Sequence, residues 1–203
     1  YEAWLNSLTT PSQIACERFI ESPLAHPSAM MRREVIDAAG GYRDLDWPED
    51  YDLWLRLAER GVAFAKVERT LLFWRERQDR LTRRDPRYAV ERFVACKAHY
   101  LVRGPLAGGQ RVVIWGAGQT GRRLARDLLS EGANLVAFVD VDPDKIGRTM
   151  RGAPVIRYEE LPDFMRIGAV VLAAVASRGA RDLIRDRLDG IGLVEGRDFW
   201  CVA

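Results

Sequence analysis

The chain has 203 residues, 48% of them hydrophobic and 30% charged, with a formal net charge of +2. That composition supplies enough apolar material for a packed core and excludes disorder as the main state. The small net charge excludes bulk electrostatic binding to nucleic acid, no apolar run reaches the ~18 residues a membrane helix needs, and no cleavable signal pattern opens the chain.

In the first half, Thr10-Pro11-Ser12-Gln13 reads as a helix start, with Thr10 as cap, Pro11 in the first turn and Gln13 closing a capping box. This helix is expected to run to about Glu21, and His26 to Met31 reads as extended. A short helix from Arg33 to Ala39 ends at Gly40-Gly41. Asp46-Trp47-Pro48-Glu49-Asp50 opens a further helix, which continues to Arg60 and stops at Gly61. Tyr51, Trp54, Leu55 and Leu57 form its apolar stripe. Two short strands are expected near 62–67 and 70–74, then a basic loop over 75–85 and a last helix over 86–102. Gly104, Pro105, Gly108 and Gly109 then break the chain, and a domain boundary is placed at 104/105.

Beyond that break, apolar strands alternate with polar helices, the pattern of a parallel α/β sheet. Strand Arg111 to Trp115 leads into Gly116-Ala117-Gly118-Gln119-Thr120-Gly121 and a helix to Ser130. Strand Leu135 to Asp140 follows, then a short strand at Val155-Ile156 and a buried strand from Ala169 to Ala176. A helix from Arg178 to Leu188 and an edge strand from Phe199 to Val202 complete the half.

The three glycines have the spacing and the strand-to-helix context of a dinucleotide-binding turn. Gly116 permits the tight turn, Gly118 lets the backbone approach a pyrophosphate, and Gly121 lets helix and strand pack closely. The helix N-terminus then offers free N–H groups to phosphate. Asp140, 19 residues beyond Gly121, stands where an acid would meet a ribose hydroxyl, with Asp142 as a second choice. The expected ligand is NAD or a nucleotide sugar; the alternative is that the glycines serve packing alone. Ser177-Arg178-Gly179 is either a second phosphate turn or a plain helix start. No Tyr-x-x-x-Lys pair occurs, which argues against a short-chain dehydrogenase. Cys16, Cys96 and Cys201 read as reduced thiols, mostly buried, and His26 and His99 lie too far apart for a local metal motif. Over about residues 110–175 this half resembles Rossmann-like modules attached to sugar-modifying enzymes.

Glu49, Asp50 and Asp52 sit in one helical turn, where acids complement the macrodipole whatever else they do. Their neighbourhood carries a resemblance. His26-Pro27-Ser28-Ala29-Met30-Met31-Arg32-Arg33, then Ala39-Gly40-Gly41-Tyr42, then Glu49-Asp50-Tyr51-Asp52-Leu53-Trp54 and Gly61 resemble the acceptor half of an inverting family 2 glycosyltransferase of the GT-A fold. The resemblance implies Asp50 as the base that takes the acceptor proton, with Glu49 beside it. His26 is a further acceptor-site candidate or else structural, and Trp47 and Tyr51 are either ring-stacking contacts for a sugar or ordinary packing. Where many members carry Tyr-Arg-x-His, this chain reads Trp74-Arg75-Glu76-Arg77, so Arg75 and Arg77 are expected on a diphosphate instead of a metal-binding histidine.

The expected fold is thus α/β: a partial GT-A-type α/β region over 1–104, followed by a small Rossmann-like parallel-sheet domain over 105–203. The family's donor half, with its Asp-x-Asp, is absent, and the chain begins at Tyr1. The expectation is therefore the C-terminal part of a longer transferase, inactive alone. The whole enzyme would use a divalent metal (Mg or Mn), a nucleotide-sugar donor and a glycan or lipid-linked acceptor, as in bacterial cell-surface polysaccharide synthesis. It would be cytoplasmic, at most peripheral to the inner membrane, with no membrane span and no nucleic-acid partner; this fragment is expected to self-associate into a homo-oligomer through the strand edges and apolar surface that truncating a GT-A sheet would expose. Two alternatives stand beside it: an NAD(P)-dependent sugar oxidoreductase or epimerase, and a non-catalytic nucleotide-binding or assembly module.

Overall fold

The computed structural model describes residues 1–75 and 81–203. Helices α1 (Glu2–Ser7) and α2 (Pro11–Glu17) open the chain. α2 starts as expected: the Gln13 N–H donates to Thr10 Oγ1, and the Thr10 N–H donates to Gln13 Oε1 at 3.0 Å. It stops before the expected Glu21, and His26–Ser28 is a single 3-10 turn where extended chain was expected. α3 (Arg33–Ala38) ends at Gly40 and Gly41, with φ of +82° and +66°. α4 (Glu49–Glu59) is buried from Tyr51 through Leu57. α5 (Leu81–Arg84), a 3-10 turn at Pro86–Tyr88 and α6 (Val90–Arg103) complete the first half.

Among the described residues, 1–104 hold no strand. The segments expected as strands, 62–67 and 70–74, are irregular. A strand persists only where a neighbour takes its N–H and C=O groups. Here the backbone is anchored to helix ends and loops, with Val62 N–H on Leu57 O and Lys66 N–H on Thr9 O. Val67, Leu71 and Phe73 are 66%, 70% and 91% exposed, so no sheet face covers them. This removes the structural basis for a partial GT-A α/β region.

The second half matches its expectation closely. It contains β1 (Arg111–Trp115), α7 (Gln119–Ser130), β2 (Asn134–Val139), β3 (Thr149–Met150), β4 (Ala153–Ile156), α8 (Leu161–Arg166), β5 (Val170–Ala173), α9 (Ala180–Gly190) and β6 (Phe199–Cys201). The sheet order is β3-β4-β2-β1-β5-β6, and every pair is parallel except the β3–β4 hairpin. That hairpin turns through Arg151 and Gly152, both at positive φ, as a two-residue hairpin loop requires.

β1 and β5 are apolar on both faces because they are covered on both. Val112 and Ile114 of β1, Phe138 of β2 and Leu172 of β5 share one core with α6 and α7, through Val94, Leu101, Leu124 and Leu128. Val113, Trp115, Val139 and Val171 point the other way, into a core with α8 and α9 through Leu161, Ile184 and Leu188. The fold is therefore a mixed α/β, Rossmann-like three-layer arrangement with a predominantly parallel sheet. One outer layer includes α6, so the core runs across residue 104. A satellite core of Ala39, Leu53, Trp54 and Leu57 holds α3 to α4.

Candidate functional site

The glycine turn joins β1 to α7, and each glycine has a separate physical reason. Gly116 has φ +117°, and a Cβ there would lie 2.8 Å from Val175 Cγ2 and 2.9 Å from Ala174 O. A Cβ on Gly121 would lie 1.8 Å from Gly116 O, so only glycine lets α7 seat on the turn. Gly118, with φ −79°, faces open space: a Cβ there meets nothing within 4 Å. It is the N-cap of α7, and no side chain caps that helix. The first N–H groups of α7 therefore remain available for an anion.

Asp140 follows β2 at the lip of this turn. Its Oδ2 accepts from the Ala117 N–H at 2.8 Å and from Lys145 Nζ at 3.3 Å, and its Oδ1 accepts from the Asp142 N–H at 3.0 Å. Burial alone would raise this carboxyl, but the two backbone N–H groups and Lys145 outweigh it and hold it below the usual carboxylate range. Asp140 thus fixes the glycine turn to the start of the segment after β2. Lys145, also 3.2 Å from Asp142, was not singled out in the sequence. An acid-flanked lysine five residues beyond Asp140 was the available signal.

The strand order reverses between β1 and β5, and such a switch point is where open α/β sheets leave a crevice beyond the strand C-termini. A cavity of about 210 Å³ lies there, between α6, the first turn of α7 and the residues that follow β5 and β6. The turn Ser177-Arg178-Gly179 leads into α9, with Gly179 as an N-cap at φ +76°.

The residues expected at an acceptor site are only partly brought together. Asp50 Oδ1 accepts from the Tyr51 N–H at 2.7 Å, and its Oδ2 lies 3.9 Å from His26 Nδ1. Burial raises the Asp50 carboxyl, opposed by the Tyr51 N–H and His26. His26 Nε2 is 2.8 Å from the Tyr42 hydroxyl, and Glu49 accepts from the Tyr88 hydroxyl with both oxygens. Tyr51 offers no ring face to a ligand: it is fully buried, and its hydroxyl donates to Arg18 O at 2.7 Å. Trp47 is also engaged internally, donating from Nε1 to Asp52 and lying 5.4 Å from the His99 ring. Arg75 is exposed, and Arg77 lies outside the described residues.

Asp52 is the best-satisfied carboxylate of this helix. Fully buried, it accepts from Arg56 at 2.9 Å, Tyr100 Oη at 2.6 Å and Trp47 Nε1 at 3.2 Å. Arg56 in turn donates to Ala39 O and Gly41 O. Among the described residues, no group of three or more His, Cys, Asp or Glu side chains is placed to hold a metal ion, so nothing supports a divalent metal. All three cysteines are free. No helix among the described residues is long and apolar enough to cross a membrane.

The family model described as C2185-like, N-terminal, matches residues 108–197, fewer than half of the chain. The redox-sensing transcriptional repressor Rex of Caldicellulosiruptor saccharolyticus is 32% identical over 89 residues, which cover 40% of this chain and 41% of that protein. This chain therefore spans about two-fifths of the length of that relative. Among solved structures, UDP-D-quinovosamine 4-dehydrogenase from Vibrio fischeri is 28% identical, covering 42% of this chain and 75% of that one, with a TM-score of 0.37. RSP, a Rex-family repressor, in complex with β-NAD+ and operator DNA is 20% identical, covering 52% of this chain and 57% of that one, with a TM-score of 0.37.

These findings correct the sequence expectation. Neither the matching family model nor the curated relative is a glycosyltransferase, and with that reading goes the reason for naming Asp50 and Glu49 a catalytic pair. The expectation of an enzyme is overturned on the same ground, since the relative is a transcriptional repressor. So is the expectation that nucleic acid plays no part, because that relative is a transcriptional repressor. The small net charge was a weak basis for that exclusion, because it reports on a whole chain and not on one face. Of the readings weighed above, a non-catalytic nucleotide-binding module agrees best with the similarity, which falls on a Rossmann-like α/β region.

Proposed function

We propose that residues 105–203 form a non-catalytic nucleotide-binding module whose ligand is a nicotinamide dinucleotide, with residues 1–104 as an N-terminal region that shares its core through α6. The observation that carries this reading is Gly118: an uncapped helix N-terminus whose N-cap glycine faces open space while its two neighbouring glycines are packed. In this assignment Gly116 shapes the turn, Gly118 admits the pyrophosphate, Gly121 seats α7, and Asp140 holds the turn and accepts a ribose hydroxyl. The redox-sensing relative supports a dinucleotide over a nucleotide sugar.

The test is calorimetric titration of the chain with NADH, NAD+, NADPH and UDP-glucose, with Gly118→Val as the control. Valine is allowed at this φ and fills the space meant for phosphate, so the variant should fold and lose dinucleotide binding by tenfold or more. Equal affinity in the variant, or a wild-type chain that binds none of the four, overturns the proposal.

A further inference from the structure

Among the described residues, Lys97 is a buried cation with no ion partner. Lys97, on the face of α6 turned to the sheet, is 8% exposed. Its Nζ donates to Ile20 O at 2.6 Å and to Val202 O at 3.0 Å. Among the described residues no carboxylate lies within 4.0 Å of it, and Glu21, the acid that acts on it through space, lies beyond that distance. Buried charges are ordinarily paired, because an isolated ion loses its hydration without compensation. An ammonium also has three hydrogens, and the two carbonyls account for two.

This lysine lines the switch-point cavity. Its neighbours there are Val94, Thr120 and Arg123 of the facing helices, with Ala176 and Val202 beyond β5 and β6. Arg123 is paired with Glu91 at 3.1 Å, whereas Lys97 is held by two carbonyls and has no carboxylate within 4.0 Å among the described residues; Ala203 closes the lining. At about 210 Å³ the cavity is several times the ~30 Å³ share of a water molecule, which is room for a phosphate group. Thr120 lies in the first turn of α7, so the cavity adjoins the same N–H groups that Gly118 exposes.

We propose that the switch-point cavity is an anion pocket in which Lys97, carried on α6, takes a phosphate oxygen of the nucleotide bound at the glycine turn. The inference rests on the nucleotide reading above and adds a ligand contact from the other half of the chain. α6 packs on α7 and hydrogen-bonds to the backbone beyond β6, so ligand occupancy and the position of the N-terminal unit are linked through one side chain.

The experiment is calorimetry of the full chain with NADH, ADP and inorganic pyrophosphate, comparing wild type with Lys97→Met and Ala176→Glu. Methionine keeps the apolar stem and removes the charge. Ala176 is exposed at the rim, so a glutamate there leaves the core alone and places a carboxylate to compete for Lys97. Both variants should bind NADH and ADP at least tenfold more weakly. A folded Lys97→Met chain that binds within twofold of wild type overturns the inference while leaving the glycine-turn assignment intact. If Lys97→Met does not fold, unchanged affinity in Ala176→Glu overturns it equally. If wild type binds neither NADH nor ADP, the nucleotide reading fails by itself. In that case, pyrophosphate binding that is lost in Ala176→Glu upholds the anion pocket, and no pyrophosphate binding overturns it.

Discussion

Replacing Gly121 by alanine adds one methyl group at a position where the nearest atom is the Gly116 carbonyl oxygen, 1.8 Å away, with Ile114 Cγ2 at 3.3 Å. Non-bonded contacts settle near 3.5 Å, so the turn and the first turn of α7 must separate by roughly 1.7 Å. Overpacking a well-packed site costs ~1–3 kcal/mol, and more when backbone rather than a pliable side chain must yield. The obstacle here is backbone, so a loss of about 3 kcal/mol is expected, a large share of the ~5–15 kcal/mol that holds a domain together. For a chain of this size that lowers the melting temperature by roughly 6–12 °C. Gly118→Ala is the internal control. It meets open space, gains ~0.4–1 kcal/mol through the unfolded chain and loses a comparable amount as a poorer N-cap, so its stability should stay within ~0.5 kcal/mol of wild type. Urea and thermal unfolding followed by far-UV circular dichroism measure both. A Gly121→Ala chain within 1 kcal/mol of wild type would refute the packing argument, and a Gly118→Ala chain destabilised by more than that would refute the open space on which the ligand assignment depends.

Asp52→Asn leaves Arg56 as a buried charge without its carboxylate and should cost ~3–5 kcal/mol in urea unfolding; a loss under 1 kcal/mol would mean the Arg56 guanidinium is adequately held by Ala39 O and Gly41 O alone. Burial pulls Lys97 down to about 8 from the ordinary lysine value of 10.5. The folded state then releases its proton before the unfolded state does, so its burial cost is present in full below pH 8 and is relieved as pH rises from 8 to 10.5. The relief is about 3 kcal/mol. The pH dependence of stability measured for wild type minus Lys97→Met should show that rise, and parallel curves would contradict it. Asp140, held below the usual carboxylate range, acts in the opposite sense: its contribution is complete above about pH 4 and disappears as pH falls through its folded value, so Asp140→Asn should flatten the acid limb of the stability curve. Its negative charge at the ribose position also predicts that NADH binds better than NADPH, a preference that calorimetry should find reduced in the same variant.

The second half was legible because local rules and tertiary context agree there. Val112-Val113-Ile114 and Val170-Val171-Leu172 are apolar runs of strand length, and a sheet covered on both faces asks for that. The helix after the glycine turn was placed at its observed end, Ser130, because Leu124, Ala125 and Leu128 recur at helical spacing. α8 went unread because its six residues give too short a pattern for periodicity to register. The first half misled in two ways. The apolar residues of 62–74 satisfy the composition of strands, but pairing is a property of neighbours, and among the described residues no strand pairs with them. The acids of 49–52 look alike in sequence, yet the fold gives Asp52 three donors, Asp50 a burial-raised carboxyl and Glu49 a tyrosine. Nothing in the local sequence of Lys97 says that residues 20 and 202 will meet around it.

That meeting has a consequence for how the chain matures. Lys97 emerges from the ribosome roughly a hundred residues before Val202, and the carbonyl it must reach lies just past the last strand of the sheet. Until β6 docks beside β5, the ammonium has lost one of its two carbonyl partners and α6 covers a sheet without its outer strand. Contacts this distant in sequence close late, after the loop-closure entropy has been met. The helix that joins the two halves should therefore stay wet and loosely seated through most of synthesis, and burial of its lysine should mark the final step of assembly. Pulsed hydrogen exchange during refolding would read this as late protection of the α6 amides, after those of β1 and β2.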